Sequence, residues 1–179
     1  MVRLMMVTAA AVAMTGCAAT DGASSPGTSV AASAGGASAV LRMADGTEVG
    51  RAVATEVAGG IRVSIDASKL SPGVHGVHVH TTGRCDGPDF TTAGGHWNPT
   101  AMKHGMQNPM GPHAGDMPNM TVGADGRGTV SVNLPSGTMA GLMDADGAAF
   151  VIHAGPDDLK TDPAGNSGGR IACGVFEAG

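Results

Sequence analysis

The chain has no tyrosine, three phenylalanines and one tryptophan, so aromatic residues make up 2% of its 179 positions. Positive charge is also scarce, with ten lysines and arginines against fifteen aspartates and glutamates. A negative chain with no basic run and no aromatics interleaved among basic residues argues against a nucleic-acid partner. An anionic substrate would need a local positive site. Few windows sustain a helical period, and the apolar run from Leu4 to Met14 is too short to span a bilayer. Cysteine is limited to three positions. What remains able to do chemistry is histidine. Six of the seven histidines fall where two metals could share them: His78 and His80 flank one valine, His96, His104 and His113 follow in a glycine-rich stretch with Asp116, and His153 closes a later strand.

The N-terminus carries one positive charge, Arg3, then the short apolar run and the small residues Thr15-Gly16 before Cys17. That order describes an export signal. Met14-Thr15-Gly16-Cys17 resembles a bacterial lipobox, with Met14 where leucine is more usual. It implies a signal over residues 1–16 and a lipid on Cys17 that anchors the exported protein to a membrane of the periplasm or cell envelope. The alternative is a plain secretory signal cut nearby. Residues 17–38 are almost entirely Ala, Gly, Ser and Thr, a composition that buries too little surface to offset the entropy of ordering, and are expected to form a tether. Residues 39–179 have the size of one domain. Loss of Arg3 with the signal leaves nine basic residues against fifteen acidic, a net charge of −6. With Cys17 committed to lipid, Cys85 and Cys173 remain as an even pair in an oxidising compartment, and a disulfide is the economical reading. Two structural free thiols are the alternative. Closing a loop of that length would constrain the unfolded chain by about 4–5 kcal/mol in the chain-entropy model.

Short alternating segments separated by turn residues fill the domain: Ala39–Met43, Val49–Val57, Ile61–Asp66, Val74–His80, Thr129–Leu134, Phe150–His153 and Ile171–Phe176. Seven or eight such strands predict an all-β antiparallel sandwich or barrel. Two longer segments, 81–118 and 154–170, interrupt the rhythm, and loops of that length in a compact domain are usually functional. Along the strand Val74–His80 side chains alternate between faces, so His78 and His80 point the same way, about 7 Å apart. A lone His-x-His pair also occurs on solvated strand faces. Three imidazoles and a carboxylate at His96, His104, His113 and Asp116 match the ligand number of a closed zinc site.

Taken together, Gly76-Val77-His78-Val79-His80, Gly95-His96-Trp97-Asn98-Pro99, Lys103-His104-Gly105, His113-Ala114-Gly115-Asp116 and Gly168-Gly169-Arg170-Ile171-Ala172-Cys173-Gly174-Val175 resemble the copper-zinc superoxide dismutases, in family order, from about residue 39 onward. The resemblance implies a Greek-key β-sandwich of immunoglobulin-like architecture with two long functional loops. It implies copper on His78, His80, His96 and His153, and zinc on His96, His104, His113 and Asp116, with His96 as the bridge. Four imidazoles suit copper in both oxidation states, and the mixed set suits redox-silent zinc. The activity implied is dismutation of superoxide to dioxygen and hydrogen peroxide, which in an exported protein would protect the cell envelope. In the family cycle the bridge opens on reduction and the bridging histidine takes a proton.

Three further roles follow from the same motifs. Arg170 is the cation expected beside copper, Asp157 the carboxylate expected to link His78 to His104, with Asp158 its alternative, and His75 a hydrogen-bonded core residue. The segment 158–169 is shorter than the charged guidance loop of animal enzymes and holds only Lys160 and Asp162 as charged residues beyond Asp158, which leaves open whether Lys103 or Lys160 assists Arg170. A histidine-rich N-terminal extension found in some bacterial forms is missing. Dimer faces differ between bacterial and eukaryotic relatives, so a homodimer is compatible with the sequence without being specified by it. A non-catalytic copper carrier on the same fold is the competing reading. A zinc hydrolase is disfavoured because the histidine-rich loop leaves no spare carboxylate as a general base. Met102, Met106 and Met110 read as adaptable packing, with capture of Cu(I) during loading as the alternative.

Overall fold

The computed structural model describes residues 36–179. The expected signal at 1–16, Cys17 and the tether up to residue 35 lie outside the described residues. Ten strands follow in order: β1 (Gly36–Arg42), β2 (Glu48–Val57), β3 (Gly60–Ala67), β4 (Gly73–His75), β5 (Val77–His80), β6 (Met120–Val122), β7 (Gly128–Leu134), β8 (Ala149–His153), β9 (Arg170–Val175) and β10 (Glu177–Ala178). A short α-helical turn, α1 (Met139–Leu142), is capped by the Thr138 side chain, which accepts from the Gly141 N–H. The first strand takes in Gly36, Ala37 and Ser38, which their composition had assigned to the tether; Ala37 is buried, so burial there outweighs weak local propensity.

The strands pair antiparallel in the order β4-β6-β7-β3-β2-β1-β9-β8-β5, with β10 added beside β1. The neighbours β3–β7 and β1–β9 are distant in sequence, which is the Greek-key crossing pattern. Its two ends, β4 and β5, are separated in the chain by Gly76 alone, so the sheet nearly closes on itself as a barrel. Alternation is clearest in β3, where Ile61, Val63, Ile65 and Ala67 are buried between outward Arg62 and Asp66. Across the outer face, Arg62 donates to Asn133 at 3.0 Å and the Ser64 and Ser131 hydroxyls meet at 2.7 Å, pairs that support the register.

With so few aromatics, the interior is filled by Ala, Val, Ile, Leu and Met around Phe150 and Trp97. Each large side chain that is fully buried, such as Leu41, Ile61 or Phe150, stabilises by about 1.5–3 kcal/mol relative to exposure. Strand β8 is buried at all five positions. Phe150 and Ile152 face the barrel interior, while Ala149 and Val151 pack outward against Phe90, Ala93 and Cys173. The first long loop therefore covers this strand from outside, and it is fastened there by a disulfide between Cys85 and Cys173 with Cα atoms 5.7 Å apart.

One expectation is corrected. Val74–His80 is not a single strand: it breaks at Gly76, with β4 pairing to β6 and β5 to β8. At the break, the Gly76 N–H donates to Gly155 and its carbonyl accepts from His153 N–H at 2.9 Å. A Cβ there would stand 2.8 Å from the Ser167 side chain, so the chain changes partners where only glycine fits.

Candidate metal centre

Strand β5 presents His78 and His80 against β8, opposite Val151 and Ala149, and His153 ends β8. The long loop is brought to this strand by its backbone. Val79 N–H donates to the Gly115 carbonyl at 3.0 Å, the Val79 carbonyl accepts from Trp97 N–H at 2.9 Å, and Gly115 N–H returns to the Trp97 carbonyl at 2.9 Å. A side chain on Gly115 would overlap the Val79 carbonyl, so glycine is required for this close approach. Two isolated bridges, His80 to His96 and His78 to Asp116, fix two points of the loop on the histidine strand. All six candidate histidines and Asp116 are buried.

Hydrogen bonds decide which ring nitrogen of each histidine is available. His80 Nδ1 donates to the Gly94 carbonyl at 3.0 Å and His153 Nδ1 to the Gly168 carbonyl at 3.2 Å. His78 Nε2 contacts Asp157 Oδ2 at 2.6 Å. Left buried with no hydrogen-bond partner are His78 Nδ1, His80 Nε2, His96 Nε2 and His153 Nε2, together with His113 Nδ1. Unpaired buried nitrogens are costly, and four that converge with ligand atoms within 4.8 Å of one another suit one soft cation. Burial pushes the His78 imidazole down to about 3 despite the opposing Asp157, pushes His153 down to about 4, and holds His80 well below its ordinary value. These rings are neutral lone-pair donors near pH 7.

On the other side of His96, three imidazoles surround one carboxylate oxygen. Asp116 Oδ1 lies 2.9 Å from His96 Nδ1, 3.0 Å from His104 Nδ1 and 3.4 Å from His113 Nδ1. Asp116 Oδ2 accepts the backbone N–H groups of Gly105 and His113 at 2.8 and 2.9 Å. Burial alone would raise the Asp116 pKa, but bonds from His104 and His96 hold it well below the carboxylate range. His96, His104, His113 and Asp116 form a second group with ligand atoms within 4.8 Å, and both groups contain His96. The donor sets fit copper on the first and zinc on the second.

Asp157 joins the two groups from behind. Its Oδ1 contacts His104 Nε2 at 3.0 Å while Oδ2 holds His78, and Oδ1 also accepts Leu159 N–H at 2.6 Å. Asp158 turns away, accepting from Lys160 N–H, Thr161 N–H and the Asn166 amide. Burial opposes a charge on His104, yet the carboxylates of Asp116 and Asp157 on its two nitrogens raise its pKa to about 9. Arg170 donates from Nη1 to the Phe90 carbonyl and from Nη2 to the Gly94 carbonyl, both at 2.6 Å, and lines a cavity of about 700 Å³ with His80, His96 and His153. His75 stays outside both sets, between the carbonyls of His153 and Ser71 at 2.8 and 2.9 Å.

A family model described as copper/zinc superoxide dismutase (SODC) matches residues 48–176. The chain belongs to this family. It is 46% identical over 140 residues to "Superoxide dismutase [Cu-Zn] 1" of Aquifex aeolicus, covering 74% of this chain and 82% of that one. It is 40% identical over 148 residues to "Superoxide dismutase [Cu-Zn]" of Caulobacter vibrioides, covering 79% and 85%. Among solved structures, a SOD-like protein from Bacillus subtilis superposes with a TM-score of 0.71 at 43% identity, covering 77% of this chain and 96% of that one. The Cu/Zn superoxide dismutase from Brucella abortus superposes at 0.67 with 30% identity, covering 79% and 99%.

Several members of this site carry no motif that sequence reading singled out. Asn119 clamps the Asp157 backbone, donating to its carbonyl and accepting its N–H at 2.8 Å each. Gly165, with φ of 60°, leaves room where a Cβ would overlap Asp157 Oδ1 and come within 2.6 Å of His104 Nε2. The Gly94 carbonyl serves His80 and Arg170 together. Backbone acceptors leave no trace in residue identity, and Asn119 lies in a turn-rich stretch where asparagine is common.

Proposed function

We propose that this protein dismutes superoxide to dioxygen and hydrogen peroxide outside the cytoplasm, with copper held by His78, His80, His96 and His153 and zinc by His96, His104, His113 and Asp116. The observation that carries the proposal is the four orphaned, buried imidazole nitrogens on one side of His96 and the three imidazoles around Asp116 on the other, two groups that share His96. When bound, copper supplies a one-electron redox couple and zinc a fixed charge without redox chemistry.

The chain's own residues supply the rest. Arg170, fixed by two carbonyls, offers a planar pair of donors and a positive charge to an anion entering the cavity. The shared Gly94 carbonyl holds that cation in register with His80. His96 Nε2 is the buried atom that would take up one proton and return it once for every two superoxide ions consumed, while His96 Nδ1 remains on the Asp116 side. Asp157 and the Gly94 and Gly168 carbonyls keep the other rings in one tautomer and orientation. A copper carrier would have no use for an arginine held at the metal cavity by two hydrogen bonds.

The export signal, the lipid on Cys17 and the tether belong to the same proposal and rest on the sequence of residues 1–38. Together they would station the domain on a membrane face of the cell envelope, intercepting superoxide that does not cross into the cytoplasm. Elemental analysis of the purified domain combined with a superoxide assay tests the core of the proposal. The expected result is one copper and one zinc per chain with dismutation dependent on copper; a fully loaded protein holding both metals but inert toward superoxide would sink it.

A further inference from the structure

Three charged side chains other than histidine line the cavity: Lys103, Asp162 and Arg170. Lys103 and Asp162 are paired, with Nζ 3.0 Å from Oδ2. The partners come from different long loops, and each is placed independently of the pair. Lys103 N–H donates to the Met110 carbonyl at 2.9 Å. Asp162 Oδ1 accepts the His104 backbone N–H at 2.7 Å and stands 3.7 Å from His113 Nε2. The Asp162 side chain is 34% exposed and that of Lys103 52%, so the pair contributes little to folding. Its electrostatic consequence at the cavity is larger. A cation held against a carboxylate acts on a distant anion as a dipole, whose field decays faster than that of a free charge.

We infer that Asp162 masks Lys103, leaving Arg170 as the one non-histidine cation of the cavity without a salt-bridge partner among the described residues and setting how strongly the site draws in small anions. The inference rests on the reading that the cavity takes superoxide and goes beyond it by assigning a specificity-determining residue. Lys103 is a steering cation held in check; Asp162 is the residue that checks it. The two functions of the carboxylate separate cleanly, because an asparagine at 162 keeps an oxygen for the His104 N–H while losing the charge that opposes Lys103.

The test uses the copper- and zinc-loaded protein and azide as the probe anion, with binding followed by the absorption change at copper. At about 10 mM ionic strength, where charges act over about 30 Å, Asp162→Asn is expected to tighten azide binding about two- to five-fold. Lys103→Gln, which exposes the carboxylate, should weaken it by a similar factor, and the double variant should return close to wild type. At about 1 M salt, with a screening length of about 3 Å, the four proteins should converge. Unchanged or weaker azide binding by Asp162→Asn overturns the masking, as does a difference that persists at high salt. Elemental analysis and zinc affinity are measured in parallel; an Asp162→Asn protein that loses zinc and azide affinity together shows a strap on the zinc loop instead, which also overturns it. Because the readout is anion binding, a wild type that binds azide yet fails to dismute superoxide would count against the proposed activity without touching this result.

Discussion

At the scale of single residues, His96 is where the two ligand groups share one side chain, its Nε2 facing one set and its Nδ1 facing Asp116. His96→Ala should therefore lower copper and zinc occupancy together, whereas His153→Ala, which belongs to one group only, should chiefly lower copper. Metal content after dialysis against a weak chelator distinguishes these outcomes, and loss of a single metal in the His96 variant would reject the shared ligand. Protons offer an independent check. In the metal-free protein His104 carries a proton at neutral pH, because its pKa is raised to about 9, while His78 and His153, lowered to about 3 and about 4, do not. Zinc must displace the His104 proton, so zinc added first at pH 7 should release about one proton per chain more than copper added first. The sign follows: zinc affinity should climb with pH until about 9, where His104 is already deprotonated. Calorimetric titration in buffers of different ionisation enthalpy measures the proton count.

The two long loops are the elements that make the centre, and each is held by something other than its ligands. The first is fastened by the disulfide and by the backbone bonds to Val79. In the second, the stretch behind Asp157 closes over the ligands at Gly165, whose left-handed backbone and missing side chain admit the Asp157 carboxylate and the His104 ring. Gly165→Ala should displace that carboxylate, lower zinc affinity at least tenfold and leave the barrel folded, because the strands do not depend on this contact. Competition with a fluorescent zinc chelator, with far-UV circular dichroism as the folding control, tests it; zinc affinity equal to wild type would mean that the loop shifts freely and Asp157 is not held by this closure.

For the whole molecule, a net charge of −6 in the exported form would oppose an anionic substrate, yet charges are screened within about 8–10 Å at ordinary ionic strength. Arg170, lining the cavity itself, outweighs the distant sign. Arg170→Ala should lower the second-order rate with superoxide and flatten its dependence on ionic strength at unchanged copper content, and Arg170→Lys should retain part of the steering without the planar donor pair. Equal rates and equal salt slopes for wild type and Arg170→Ala would move the steering charge elsewhere. The location proposed for the molecule has its own test. Cys17→Ser should abolish acylation and yield either a soluble product or an uncut precursor, and an unmodified mature N-terminus in wild type, read by mass spectrometry, would reject the lipid anchor.

The sequence by itself determined the all-β class, the two long loops and the residue types of the site, because strand alternation, turn residues and histidine spacing are local properties of the chain. It also offered Cys85 and Cys173 as the economical pair, on the expectation that Cys17 carries a lipid, and the disulfide itself is a finding of the structure. Tertiary structure alone decided the rest. The break at Gly76 was hidden, because an unbroken alternation from Val74 to His80 is what a continuous strand would also show, and the change of partner depends on which strands flank it. The short strands β6 and β10 exist through their pairing with β4, β7 and β1, not through length or propensity. Which of Asp157 and Asp158 faces His78 and His104, and which nitrogen each histidine leaves free, are set by hydrogen bonds to carbonyls and side chains up to 79 residues away in the chain. Composition can supply ligands, but only the nearly closed barrel and its two docked loops convert them into two sites that meet at one ring.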